Sequence, residues 1–121
     1  MLTQKIARSS ATSGSGGALG QGAYVEELFS TYAYIGTGTT NQIINNVDLL
    51  NNGGLVMIKA RDGTGDKQTW FIDTARGSSK AISTCSDTVE TTTYSGITSF
   101  NSDGFTLGSS SDIDINVSGT K

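Results

Sequence analysis

The chain has 121 residues, 35% of them hydrophobic, with 16 glycines and no proline, and a formal net charge of −3. That length holds one domain and excludes a second of enzyme size. It contains no histidine and one cysteine, Cys85, so imidazole-activated nucleophiles, most zinc, iron and copper sites and an internal disulfide are all excluded. Lysines and arginines never run together, which argues against nucleic acid as a partner. The start, MLTQKIARSS, is not followed by an apolar run long enough for a signal peptide or membrane insertion, so synthesis in the cytoplasm is expected.

Residues 1–23 are dominated by Gly, Ser, Ala and Thr and bury too little surface to offset chain entropy. They read either as a floppy tail or linker or as an extended arm that orders on another subunit, with Leu2, Ile6, Leu19 and Tyr24 as anchors. YVEELF, residues 24–29, is long enough for one helical turn and acts as a hinge. The arm with its hinge spans 1–28, and a β module follows over 29–121.

From Ser30 onward strand signals recur about every dozen residues, the spacing of a sandwich or barrel. TYAYIG (31–36) and QIINNVDLL (42–50) are the first two expected strands. GLVMIKAR (54–61) is apolar on both faces and is expected at the centre of a sheet. TWFIDT (69–74) returns beside it, because the intervening DGTGDKQ supplies the glycines of a hairpin loop. KAISTC, GITSF, GFTLG and DIDINV complete the set, with N-S-D-G as a tight turn between two of them. The fold class is all-β, an antiparallel sandwich preceded by the arm.

Few groups here could carry chemistry. Asp62 and Asp66 are spaced too widely for an EF-hand loop and lack its later Glu. Asp112, Asp114 and Asn116 alternate on one face of DIDIN, read as the solvated side of a strand burying Ile113, Ile115 and Val117. The glycine clusters lack the Lys and helix of a phosphate loop. No catalytic residue, metal site or cofactor is assigned. The exposed candidates of the module are Arg61, Asp62, Asp66, Lys67 and Trp70, with Trp70 an anchor for the core or an interface.

Several stretches together resemble a module of tailed-phage virion proteins, of the tail-fibre type. Tyr34, Gly36, Gly38, Gln42, Ile44, Asp48 and Leu49 fall on its opening, followed by G-G-L-V-x-I-K-x-R at 53–61, D-T-x-R-G at 73–77 and T-S-F-N-S-D-G-F-x-L-G at 98–108. The resemblance spans roughly residues 29–119. It implies a concanavalin-like jelly roll on a virion tail appendage, with phage tail or adaptor proteins and further copies, as a homotrimer, for partners, and a host surface glycan as an additional one. In that family an aromatic strand of the Y-V-A-W-T-F-R type usually follows the last Gly-rich stretch. Either such a strand has been cut from this chain or a neighbour completes the sheet. The expected function is that of a fibre or fibre-adaptor subunit supporting host attachment. The alternatives are a capsid decoration protein and a glycan-binding lectin module.

Overall fold

The computed structural model describes residues 24–62, 68–85, 87, 89–93, 96–109 and 113–121. The arm anchors Leu2, Ile6 and Leu19 lie outside the described residues, as do Asp66 and Lys67 of the hairpin loop.

The described chain is an all-β sandwich of two antiparallel sheets. It opens with one helical turn, α1 (Val25–Leu28), held by the Phe29 N–H donated to the Val25 carbonyl at 2.7 Å and by the Glu27 carboxylate accepting the Tyr24 N–H at 3.2 Å. Strand β1 (Asn41–Ile44) ends where Asn46 takes a positive φ of 66° and the N–H groups of Asn45 and Asn46 both turn to the Asp103 carbonyl. Asparagine tolerates that left-handed conformation better than most residues. Asp48 then caps a second helical turn, α2 (Leu49–Asn52), its Oδ1 accepting the Asn51 N–H at 2.9 Å. The expected continuous strand over 42–50 is therefore a four-residue strand, a turn and a capped helical turn.

Strands β2 (Leu55–Lys59) and β3 (Thr69–Asp73) pair antiparallel in the register Leu55 to Asp73 through Lys59 to Thr69, as the hairpin reading requires. Asp73 closes the next turn: its Oδ1 accepts the Arg76 N–H at 2.8 Å and its Oδ2 the Arg76 Nε at 2.6 Å, before Gly77 reverses the chain at φ 95°. Strands β4 (Lys80–Ser83) and β5 (Thr91–Thr92) complete a four-stranded sheet in the order β2-β3-β4-β5. Strands β6 (Ile97–Asn101) and β7 (Gly104–Leu107) form the N-S-D-G hairpin, and β7 also pairs with β1 to give a second sheet in the order β1-β7-β6.

Alternation along these strands turns one side chain in two inward. Ile43 of β1, Val56 and Ile58 of β2, Ile72 of β3, Ala81 of β4, and Phe105 and Leu107 of β7 join one buried cluster with Leu49, Ile97, Ile113 and Ile115. Each large member stabilises the fold by about 1.5–3 kcal/mol relative to exposure.

Three expectations are corrected. Among the described residues GLVMIKAR is not central: β2 lies at the edge of its sheet, with Leu55 57% and Met57 65% exposed. TYAYIG joins neither sheet, because its polar groups bond to the end of the chain instead. The Gly36 N–H reaches the Thr120 carbonyl at 2.7 Å, and the Tyr34 hydroxyl donates to the Ile115 carbonyl. Residues 113–117 of DIDINV are no strand either, since Asp114 bends the backbone at φ 53°, and Asp112 lies outside the described residues. Ile113 and Ile115 are buried as expected and Asp114 is exposed, but Asn116 turns inward and Val117 outward.

A Cβ added at Gly36 would overlap the Val117 carbonyl oxygen, a contact with backbone that no rotamer relieves. Gly77 has nothing within 4 Å of its added Cβ. Gly36→Ala is therefore expected to lower stability by about 3 kcal/mol or more, and Gly77→Ala by about 1 kcal/mol through its backbone conformation alone, measured by denaturant unfolding.

Candidate functional site

A concavity with a volume of about 920 Å³ lies along β2. Its floor is formed by side chains of the core itself, Ile43, Leu49, Val56, Ile58, Phe105 and Ile115. The segment from Leu28 to Tyr34 forms one wall, and Thr120 with Lys121 closes an end. The groove is thus an opening between the two sheets at the edge strand, lined mainly by hydrocarbon.

The residues around its mouth are apolar as well. Leu28 is 65% and Phe29 66% exposed, and Leu55 and Met57 stand on the outer face of β2. Val25, Tyr32 and Ile35 continue the exposed apolar surface along the same N-terminal segment.

Tyr34 bridges this groove to the C-terminal segment. Its ring lines the cavity and its hydroxyl is bonded to the Ile115 carbonyl. Burial disfavours the phenolate and pushes the Tyr34 pKa up to about 12.

Beside Tyr34, the amide of Asn116 is only 1% exposed and fully used. Its Oδ1 accepts the Thr37 N–H at 3.0 Å, while its Nδ2 donates to the Thr39 carbonyl at 2.6 Å and the Gly108 carbonyl at 2.7 Å. Its own carbonyl accepts the Gly38 N–H at 2.8 Å. Tyr34, Gly36 and Gly38 therefore all serve the same purpose, holding residues 115–120 against the turn.

The residues singled out from sequence are dispersed. Arg61 is exposed, and its backbone N–H donates to the Lys121 carbonyl at 2.6 Å. Asp62 is half-buried and its Oδ1 accepts the Lys121 N–H at 2.6 Å. Both hold the end of the chain beside β2. Trp70 is not on the outer surface of the hairpin; it is half-buried and packs against the core across from Ile58. Tyr24 is half-buried at the start of α1, the one arm anchor among the described residues. Among the described residues no three acidic or thiol side chains gather in metal-binding geometry.

Sequence reasoning missed Leu28, Phe29, Leu55 and Met57 as surface features. The signal was present in the two apolar faces of β2, which fit an edge strand awaiting a cover as well as a central strand. It also missed Asn116, hidden in a period-two pattern that placed it with two aspartates.

Residues 25–121 match the family described as a domain of unknown function, DUF7483. The chain belongs to this family. The DUF7483 match begins at the first residue of α1 and takes in both sheets and the C-terminal segment, so the groove and its walls all lie within the family's domain. No curated protein and no solved structure matches the chain.

Because the folded pKa of Tyr34 lies above its ordinary value of 10.0, the stabilisation tied to the neutral phenol is intact below pH 10 and lost as pH rises toward 12. Tyr34→Phe is expected to cost about 1–3 kcal/mol at neutral pH, by leaving the Ile115 carbonyl without its donor. It should also remove part of the stability loss between pH 10 and 12. Denaturant unfolding of both proteins across that interval measures the difference.

Proposed function

We propose that this chain is a structural subunit of a tailed-phage particle, a tail-fibre or fibre-adaptor protein. Its N-terminal arm anchors it to the tail, and its β module packs against further copies, as a trimer, to support host attachment. The observation that carries the reading is the exposed apolar surface from Val25 to Ile35, continued by Leu55 and Met57 around a core-lined groove. Such a surface is costly to leave in water and characteristic of a chain that completes its burial against other chains. The order and spacing of the phage-type motifs support this class of assembly.

The mechanism is additive contact. One arm loses conformational entropy when it docks, and a single docking is weak. Symmetric copies held together raise the effective concentration of the remaining arms, so several modest contacts fix the subunit firmly. Among the described residues, the polar side chains of Asn116, Asp73 and Asp48 all serve turns and caps of the chain itself. That distribution favours a scaffold over a reaction centre.

Deletion of residues 1–23 is expected to abolish incorporation of the protein into purified particles while leaving the β module folded. Immunoblotting of particles assembled with either form measures this, and full incorporation of the deleted form would refute the anchoring role. Immunogold labelling of intact particles should decorate the tail; label on the head would assign the chain to capsid decoration instead.

A further inference from the structure

Among the described residues the outer side of β2 has no neighbouring strand, and the hydrogen-bond register defines what it offers. The Thr74 N–H donates to the Gly54 carbonyl at 3.0 Å, extending the β2–β3 ladder. In an antiparallel ladder alternate residues direct their backbone groups to opposite sides. Gly54, Val56 and Ile58 therefore face β3, and Leu55, Met57 and Lys59 face the open edge. The next residue in the outward series is Arg61, whose N–H is already bonded to the Lys121 carbonyl at 2.6 Å. One rung is thus in place at one end of the edge, and the rest of β2 has no strand beside it among the described residues.

An open edge alone is a liability that proteins usually cover. Here the groove behind it is lined by Val56, Ile58, Ile43 and Phe105 of the core. Only an extended peptide satisfies both features, since its backbone continues the ladder while every second side chain enters the groove.

We propose that this slot receives residues Leu2–Ala7 of a second copy of this chain, added as a strand beside β2. This rests on the reading of residues 1–23 as a docking arm. Within that arm, Leu2 and Ile6 are the apolar pair that share one face of a strand, while residues 9–23 hold Leu19 as their sole large apolar side chain among Ser, Gly, Ala, Thr and Gln. LTQKIA is long enough to run beside all five residues of β2. Residues 8–23, when extended, reach up to roughly 50 Å, enough to cross to a neighbouring molecule. The exposed Leu28 and Phe29 beside the slot give that neighbour an apolar surface to rest on, which favours exchange between copies over return of the arm to its own module.

Amide hydrogen exchange of the full-length chain, followed residue by residue, tests the proposal. The Leu55, Met57 and Lys59 amides should exchange at least ~100-fold more slowly in the native chain than in the Leu2→Asp, Ile6→Asp double variant, while the Ile72 and Leu107 amides stay protected in both. Isotope-labelled double variant co-refolded with unlabelled native chain should regain protection at the three edge amides. Rapid exchange in the native chain would overturn the proposal by showing an empty edge. Equal protection in the variant would overturn it by showing another occupant, and failure of the co-refolded mixture to regain protection would show that the arm fills its own slot. Because purified protein is used, these outcomes are independent of whether the arm also anchors the chain to a particle.

Discussion

The fold depends on one buried amide. Asn116 lies on a segment that belongs to neither sheet, yet this segment supplies Ile113 and Ile115 to the core. A buried segment without a ladder must find partners for its backbone elsewhere. The turn from Tyr34 to Thr39 provides them, and the Asn116 side chain links that turn to Gly108 at the end of β7. The same segment ends at Lys121, bonded to Arg61 just past β2. Asn116 therefore ties the three-stranded sheet, through the C-terminal segment, to the edge of the four-stranded one.

This clamp explains why residues that look like a binding motif serve the scaffold. Gly36 lies so near the Val117 carbonyl that any side chain would collide with it, and Gly104 stands in the same relation to the Ile43 carbonyl. The aspartates follow suit: Asp48 caps α2 and Asp73 closes a turn around Arg76. Hydrogen bonds from the backbone and side chain of Arg76 hold the Asp73 carboxyl below its usual pKa, and those from Asn51 do the same for Asp48. Beside these internally committed groups, the module presents a largely apolar groove and rim and, among the described residues, an open strand edge. Under the proposed reading, a surface of that kind acts in assembly through burial and strand pairing.

Much of the architecture was legible in the sequence, and the exceptions have physical causes. The β2–β3 and β6–β7 hairpins were readable because period-two alternation flanks glycine-bearing turns, a signal that is purely local. The position of β2 in its sheet was not, since an apolar outer face looks the same whether another strand or another chain covers it. TYAYIG has strand-like composition, but the bonds that decide its conformation come from residues some eighty positions later. Asn116 was misplaced for a similar reason: one left-handed residue, Asp114, breaks the alternation and rotates the residues after it. For the candidate site, Arg61 and Asp62 were identified as surface charges, and their backbone and carboxylate contacts to Lys121 depend on tertiary approach alone.

Equilibrium denaturant unfolding of Asn116→Ala tests the clamp most directly. The substitution removes one acceptor and two donor contacts and leaves the Thr37 N–H and the Thr39 and Gly108 carbonyls without this partner, so a loss of about 2–4 kcal/mol is expected, a large share of a small domain's total stability. Stability within about 0.5 kcal/mol of the native chain would contradict the account, since the C-terminal segment would then be held by something other than this amide.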